Sequence, residues 1–175
     1  EVVGVQTENA DKAVAGWDYE LPAFTLTANG EQVSDGVQAY IQADGQESEY
    51  AGAFAVNGAY ENGFTVVYRY KGVTVHSYAV TVEAIAVTDE AQENLEKETE
   101  TYTVHAITAT LGETAIPADE VSTFIVIGDE PPVAVEGEIT LTQAHKSGFK
   151  IVYRWKEHDI FTLSVAFSGL PAVTP

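Results

Sequence analysis

The stretch that decides the fold is Asn62-Gly63-Phe64-Thr65-Val66-Val67-Tyr68-Arg69-Tyr70-Lys71, since it occurs again as Ser147-Gly148-Phe149-Lys150-Ile151-Val152-Tyr153-Arg154-Trp155-Lys156. The two copies lie about 85 residues apart and share glycine, phenylalanine, valine, tyrosine, arginine and lysine at equivalent places. In both copies apolar or aromatic residues alternate with polar ones, which is the period-two pattern of a strand with one buried face. The sequence therefore predicts a half-buried β-strand in each copy.

The alternation also predicts which side chains are buried. The residues of the predicted inner face are Phe64, Val66, Tyr68 and Tyr70 in the first copy and Phe149, Ile151, Tyr153 and Trp155 in the second. A second alternating run follows each of these strands, so a final β-hairpin is expected in both copies. The predicted turn is Lys71-Gly72 in the first copy and the four residues Lys156–Asp159 in the second.

Two further repeats extend the match towards the start of each copy. Residues 19–27 align with 102–110, and residues 1–5 align with 83–87, at nearly the same spacing as the first pair. Three matches in the same order indicate two copies of one module. We therefore predict two domains, residues 1–84 and 85–175, joined without a linker rich in glycine, serine or proline.

Other short runs complete the prediction for each copy. The expected strands are Phe24–Ala28, Val37–Gln42, Ala53–Val56, Ile107–Leu111, Thr123–Ile127 and Glu138–Leu141, separated by turn signals such as Asn29-Gly30. Many short strands with frequent turns are typical of a β-sandwich. One segment, Asp89–Glu98, is rich in helix formers and is expected to be a short exposed helix or a charged loop. The matching segment Asn9–Ala15 has mildly helical character too.

The segment Gly63–Val73, followed by Tyr78–Val82, resembles the C-terminal hairpin of bacterial immunoglobulin-like domains. The second copy is similar from Gly148 to Phe167, with Glu157 in place of the turn glycine. The resemblance implies an all-β chain of two tandem immunoglobulin-like β-sandwiches in a secreted or surface-attached bacterial protein. Such modules serve as spacers, stalks, adhesive units or assembly units, and the family shares no catalytic residues.

Composition excludes several classes of protein. The 175 residues carry 27 acids and 8 bases, a net charge of −19, which repels nucleic acid and anionic lipid. No apolar run is long enough to span a bilayer, and no signal peptide pattern is seen. Cysteine is absent, which excludes disulfides, zinc–thiolate sites and thiol nucleophiles. The resemblance to bacterial immunoglobulin-like domains, rather than the composition, implies that the chain is extracellular or attached to a cell surface.

Catalytic motifs are missing from the sequence. No Gly-x-Ser-x-Gly elbow occurs, and the four histidines have no metal-ligand spacing. Paired carboxylates are plentiful, but pairs arise by chance in so acidic a chain. We therefore predict a protein that is not an enzyme and requires no cofactor.

Calcium is the ion to consider for the acidic loops, because it prefers hard oxygen ligands and these loops supply them. The candidate ligands are Asp44, Glu47 and Glu49 in one loop region, and Asp89 and Glu90 near the boundary between the copies. The alternative is that these carboxylates are ordinary solvated charges, and the EF-hand spacing is absent.

Aromatic residues in predicted loops could contact a ligand. Trp17, Tyr50 and Tyr60 are the candidates for stacking on a sugar ring.

The predicted function is a structural or adhesive segment, with a protein or glycan on a cell surface as partner. The alternatives are a glycan- or receptor-binding module that uses loops at one end of a sandwich, or a self-assembling subunit of a filament, surface layer or virion. In the latter, Glu1–Val5 or Phe161–Phe167 would pair between copies as edge strands.

Overall fold

The computed structural model describes residues 2–6, 11–88, 95–97 and 100–167. Nearly all regular structure in these residues is β-strand, which confirms the predicted all-β class. Three single-turn 3₁₀ helices, Gly58–Tyr60, Ala118–Glu120 and Gln143–His145, are the helical elements of the described ranges. The chain divides into two compact units, Glu1–Ala84 and Ile85–Pro175.

The described residues form ten strands in each unit. Those of the first unit are β1 (Val2–Gln6), β2 (Lys12–Val14), β3 (Asp18–Tyr19), β4 (Phe24–Ala28), β5 (Glu31–Val33), β6 (Val37–Ala43), β7 (Gln46–Glu49), β8 (Phe54–Ala55), β9 (Phe64–Tyr70) and β10 (Val73–Glu83). Those of the second unit are β11 (Ile85–Thr88), β12 (Leu95–Lys97), β13 (Thr101–Thr103), β14 (Thr108–Leu111), β15 (Thr114–Ile116), β16 (Val121–Val126), β17 (Val133–Ala134), β18 (Glu138–Thr140), β19 (Phe149–Trp155) and β20 (His158–Phe167).

The two units have the same strand order. In the first unit a five-stranded sheet runs β2-β10-β9-β6-β7, beside a three-stranded sheet β1-β4-β5 and the pair β3-β8. In the second unit the five-stranded sheet runs β12-β20-β19-β16-β17, beside β11-β14-β15 and β13-β18. Every strand of one unit thus has a counterpart with the same neighbours in the other.

The expected helical character is wrong where the structure describes it. Leu95–Lys97, within the segment 89–98, forms β12 and pairs in parallel with β20. Lys12–Val14, within the segment 9–15, forms β2 and pairs in parallel with β10. Backbone pairing with a neighbouring strand overrides local helix propensity at both places. Residues 89–94 and 98, the rest of the first segment, lie outside the described residues.

The core of the first unit lies on the inner face of β9, as the alternation predicts. Phe64, Val66 and Tyr68 are almost fully buried. The Phe64 ring meets Tyr19 of β3 edge-on at 5.0 Å between centroids. The Tyr68 ring stacks on Phe24 of β4 at 3.9 Å. These two contacts pack the five-stranded sheet against β3 and β4.

The second unit repeats this core. Phe149, Ile151, Tyr153 and Trp155 of β19 are all buried, and Ile151 is 0% exposed. Tyr102 of β13 meets the Phe149 ring edge-on at 5.3 Å, as Tyr19 meets Phe64. The edge-on contact recurs at the equivalent position of both units, as the shared strand order requires. Because β19 lies between β16 and β20, its inner face is at the centre of the sheet.

One valine in each β9-type strand departs from the predicted alternation. Val67 and Val152 fall on the predicted outer face but are buried. Tyr40 is the register partner of Val67, and the Arg69 guanidinium lies 4.6 Å from the centre of the Tyr40 ring. In the second unit the pattern recurs: Phe124 is the register partner of Val152, and Arg154 lies 4.8 Å from the Phe124 ring centre. The arginine-aromatic stack covers part of the outer face and shields the valine beneath it.

The final hairpin closes with two residues in both units. Lys71 and Gly72 have φ of 50° and 81°, and Lys156 and Glu157 have φ of 46° and 67°. Two successive positive φ values are typical of a type I′ turn, which fits the twist of a hairpin. The four-residue turn expected at 156–159 is therefore wrong, because β20 already begins at His158.

Replacing Glu157 with glycine is expected to stabilise the second unit by up to about 1 kcal/mol, because glycine adopts a positive φ without the steric cost of a Cβ atom. The gain is reduced by the extra backbone entropy of glycine in the unfolded chain. Urea unfolding measures it. A Glu157→Ala control keeps the Cβ atom and removes the charge, so a gain of the same size in that variant would contradict the turn geometry.

Candidate functional site

The feature of each unit that suggests a function is the pairing of an early strand with the last one. β2 pairs in parallel with β10, with Lys12–Val14 opposite Thr81–Glu83. β12 pairs in parallel with β20, with Leu95–Lys97 opposite Val165–Phe167. We refer to these two strand pairs as the terminal-strand clamps.

The clamp of the first unit is closed at both ends by backbone hydrogen bonds. The Thr81 amide donates to the Asp11 carbonyl at 2.8 Å, and the Ala15 amide donates to the Glu83 carbonyl at 3.0 Å. The Lys12 ammonium donates to the Glu83 carboxylate at 2.7 Å. This bond raises the pKa of Lys12 above its usual value. A backbone ladder and a cross-strand ion pair thus hold the same two strands.

Parallel pairing determines how the clamp responds to tension. A force that pulls the start of β2 away from the end of β10 slides the two strands past each other along their axes. All the hydrogen bonds between them are then loaded together. In a hairpin pulled open from its free end, the bonds break one pair after another. Parallel pairing therefore places the bonds of the clamp in shear when its two outer ends are pulled apart.

The clamps could not be predicted from the sequence, because strands of three residues are too short to show a period. The available signal was the apolar Ala13, which is buried in the core, between the more exposed Lys12 and Val14. Ala13 is followed by the apolar Val14 and Ala15, so no alternation of apolar and polar residues marks this strand in the sequence.

The three aromatic ligand candidates are half-buried rather than fully exposed. Tyr50 and Tyr60 both contact the Phe54 ring, at 6.4 Å and 4.6 Å between centroids, and both pack against the core of the first unit. The Tyr50 hydroxyl accepts a hydrogen bond from the Leu21 amide at 3.3 Å. The structure thus brings two of the three together around Phe54.

Trp17 lies elsewhere in the chain, in the turn after β2. Its carbonyl accepts a hydrogen bond from the Val56 amide at 2.8 Å, and its amide donates to the Val14 carbonyl at 3.1 Å. These bonds fix the backbone between β2 and β3. Binding of a sugar ring by Trp17, Tyr50 and Tyr60 stays a prediction.

Two of the calcium candidates are engaged by side chains of the same sheet. The Glu47 carboxylate accepts two hydrogen bonds from the Arg69 guanidinium, at 2.6 and 2.9 Å, and one from Gln42 at 2.6 Å. The bonds from Arg69 lower the pKa of Glu47. Glu49 accepts a hydrogen bond from Gln38 at 3.3 Å. The Glu47 oxygens thus already have cationic and amide donors.

The third candidate in this region, Asp44, lies in the two-residue turn between β6 and β7 with a φ of 48°. Within residues 2–6, 11–88, 95–97 and 100–167, no group of three or more histidine, aspartate or glutamate side chains could hold a metal ion. Asp89 and Glu90 lie outside the described residues. Calcium binding stays a prediction.

The expected edge position of Phe161–Phe167 is wrong for the last three of these residues. They belong to β20, which lies between β12 and β19 in the strand order of the five-stranded sheet. Val165–Phe167 pair with β12, whereas Phe161–Ser164 pair with β19 alone among the described residues. β1, by contrast, is the first strand of its three-stranded sheet.

An open depression occurs at the same place in both units, where β9 or β19 begins. It measures about 680 Å³ in the first unit, where Gln42, Glu47, Thr65 and Thr81 supply polar groups. Its counterpart in the second unit measures about 430 Å³. Both depressions border the glycine just before the strand, Gly63 or Gly148. The shared backbone therefore produces both depressions, and their polar side chains differ.

Three tyrosine side chains of the first unit, Tyr19, Tyr68 and Tyr78, are at least half-buried. The Tyr19 and Tyr78 hydroxyl oxygens are 3.2 Å apart. Burial raises the pKa of Tyr19, Tyr68 and Tyr78 above the usual value for tyrosine. The folded unit therefore holds these three protons more tightly than the unfolded chain does.

Alkaline pH is expected to destabilise the first unit for this reason. Above about pH 10 the unfolded chain loses tyrosine protons that the folded unit retains, so the free energy of unfolding falls as the pH rises. Absorbance titration in the ultraviolet should show tyrosines that ionise only when the protein unfolds. Ionisation of all nine tyrosines near pH 10 in the still-folded protein would contradict the prediction.

Comparisons with known proteins identify no family for this chain. No protein-family profile matches the chain, and no curated protein matches it. A solved structure titled "Sidekick-1 immunoglobulin domains 1-5" aligns with 98% of this chain at 8% identity and a TM-score of 0.33. This chain spans 38% of the length of that one. Similarity at that level is too low to assign the fold. None of the helices in the described part of the chain has the length and apolar character needed to cross a bilayer.

Proposed function

We propose that the chain is a tandem of two immunoglobulin-like β-sandwiches that serves as a load-bearing structural or adhesive segment of a bacterial cell-surface or secreted protein. Each unit supports this by its five-stranded sheet, packed on one face against short strands that include β3 and β4 or their counterparts. In this proposal each module acts mechanically, by resisting unfolding when the chain is under tension, and it needs neither catalysis nor a cofactor.

The observation that carries the proposal is the repeated terminal-strand clamp. In both units the last strand pairs in parallel with an early strand across three residue pairs. A segment that transmits tension between its ends benefits from bonds that are loaded together, and a module that only displays a loop has no need of them. The occurrence of the clamp in both units fits a chain under load along its whole length.

Single-molecule pulling from the two ends of the chain tests the proposal. We expect two unfolding events, each releasing about 25–30 nm of chain, since about 85 residues extend by about 3.6 Å each. The critical variant is Ala15→Pro, which removes the amide that donates to Glu83 at one end of the clamp. We expect one of the two events to shift to a clearly lower force in this variant.

Val66→Ala is the matched control, because it creates a cavity in the core of the same unit and leaves the clamp bonds in place. Urea unfolding gives the loss in free energy for both variants. The proposal requires Ala15→Pro to lower the unfolding force more than Val66→Ala does for the same loss of stability. Equal weakening of the force by the two variants would refute a load-bearing role for the clamp.

The partners proposed for such a segment are a protein or glycan on a cell surface, or further copies of the chain. The net charge of −19 disfavours nucleic acid as a partner. Calcium is the ion we propose to test, by repeating the pulling experiment with calcium and with a chelator. A higher unfolding force in calcium would support a bound ion, and the same force in both conditions would exclude a mechanical role for it.

A further inference from the structure

The core of the first unit contains a tyrosine hydroxyl without a protein partner. Tyr68 of β9 is 4% exposed, and its Oη atom is buried. Within residues 2–6, 11–88, 95–97 and 100–167, no group makes a hydrogen bond to this atom. The ring stacks on Phe24 at 3.9 Å, which fixes its direction. Buried polar groups in proteins almost always have a partner, because a hydroxyl that leaves water without one loses its hydrogen bonds.

Other tyrosine hydroxyls lie close to Tyr68. Burial, and after it the nearby Tyr78 and Tyr50, raise the pKa of Tyr68, so the three hydroxyls lie within electrostatic range of one another. The Tyr78 hydroxyl is 3.2 Å from that of Tyr19, and the Tyr50 hydroxyl accepts from the Leu21 amide at 3.3 Å. A tyrosine hydroxyl has one donor and two acceptor positions, so Tyr50 and Tyr78 can each make further hydrogen bonds.

The equivalent tyrosine of the second unit has a protein partner. Tyr153 occupies the place of Tyr68 in the repeat, and its hydroxyl donates to the His105 carbonyl at 2.6 Å. The repeat aligns Pro22 with His105, yet no carbonyl in the described part of the chain accepts from Tyr68. The two units thus carry the same ring on the same strand and differ in what its hydroxyl meets.

The interior of the first unit is also more polar around this position. By strand register and backbone hydrogen bonding, the counterpart of Tyr78 in the second unit is Leu163, and the counterpart of Tyr50 is Val135. Aliphatic side chains offer no hydrogen bonds. The first unit therefore gathers polar groups at a place where the second unit is apolar.

We propose that the first unit binds a buried water molecule between the hydroxyls of Tyr68, Tyr78 and Tyr50. The water oxygen accepts the Tyr68 O–H group, and its two hydrogens are donated to the Tyr78 and Tyr50 oxygens. Three hydrogen bonds are typical of a buried water molecule. The water supplies the partner that Tyr68 lacks, and it is part of the core of this unit alone.

A crystal structure of the full chain at about 1.5 Å resolution tests the site directly. We expect an ordered water oxygen at about 2.6–3.0 Å from Tyr68 Oη, within hydrogen-bond distance of Tyr78 or Tyr50 as well. The same water should be lost or displaced in the Tyr68→Phe variant. A direct hydrogen bond between Tyr68 and Tyr78, or no water next to Tyr68 Oη, would overturn the proposal.

Stability gives a second answer, because the sign of the effect depends on the water. With the water present, Tyr68→Phe removes a hydrogen bond, and we expect the unfolding constant of the first unit to rise about fivefold. Without it, the substitution removes an unpartnered buried hydroxyl and the unfolding constant should fall. Urea unfolding followed by amide NMR signals reads the two units separately. An unchanged or lower unfolding constant would contradict the water site.

Tyr153→Phe is the matched control in the second unit. It removes one oxygen from the equivalent place, where the partner is the His105 carbonyl. We expect its effect to be a rise of about fivefold in the unfolding constant of the second unit. Similar rises for the two substitutions, each confined to its own unit, would show that the water serves Tyr68 as the carbonyl serves Tyr153.

Discussion

Replacing Gly63 with alanine is expected to lower the free energy of unfolding of the first unit by about 2–4 kcal/mol. Gly63 has a φ of 96°, a conformation that costs an L-residue about 1–2 kcal/mol. A Cβ atom there would also lie 2.9 Å from the Val80 carbonyl oxygen, so β9 and β10 would have to move apart. Urea unfolding measures the loss.

Gly30→Ala is the matched control for this prediction. Gly30 has a φ of 86°, and an added Cβ would meet nothing within 4 Å. It therefore carries the conformational cost without the contact, and we expect a loss of about 1–2 kcal/mol. Equal losses at the two positions would show that the space between Gly63 and the Val80 carbonyl oxygen accommodates a Cβ atom without strain. Gly148 makes the same approach to the Val165 carbonyl in the second unit, at 3.0 Å.

Truncation of Ile151 to alanine is expected to cost the second unit about 3–4 kcal/mol. Ile151 is 0% exposed at the centre of the second core, so the truncation removes buried apolar surface and leaves a cavity. Trp155 fluorescence during urea unfolding reports the effect, because Trp155 lies on the same strand.

Val133→Ala provides the comparison on the surface of the same sheet. Val133 is 60% exposed on β17, so we expect its truncation to change the stability by less than about 0.5 kcal/mol. A loss at Ile151 as small as the loss at Val133 would mean that the inner face of β19 is not the core of the unit.

The hairpin and its inner face could be predicted because its strands are long and the inner-face residues recur at every second position. Phe64, Val66 and Tyr68 follow this period within a seven-residue strand, and the same period recurs in the second copy. Period-two alternation depends only on which side of a sheet is buried, so one sequence is enough to show it. The bounds of β4, Phe24–Ala28, also match the predicted strand.

Contacts between distant segments could not be predicted in this way. Burial of Val67 depends on Arg69 and Tyr40 covering the outer face, and alternation alone assigns that face to solvent. The two-residue turn at Glu157 was missed because its positive φ is imposed by the strands, on a residue that rarely adopts it.

The candidate site was less predictable than the fold. The terminal-strand clamp depends on Lys12–Val14 meeting Thr81–Glu83, segments separated by most of the unit. The cap on the 3₁₀ helix Gln143–His145, outside that site, likewise depends on the His145 ring turning back to the Thr142 amide. Both rest on geometry at the level of single hydrogen bonds, whereas composition and periodicity report only average environments.

The most direct test of the repeated fold is NMR detection of the two terminal-strand pairs in the full chain. Cross-strand contacts between amide and α-protons should show parallel pairing of Lys12–Val14 with Thr81–Glu83, and the same pattern between Leu95–Lys97 and Val165–Phe167. Finding both would establish that the two units share the clamp on which the proposed function depends. Antiparallel contacts, or parallel contacts in one unit alone, would contradict the account.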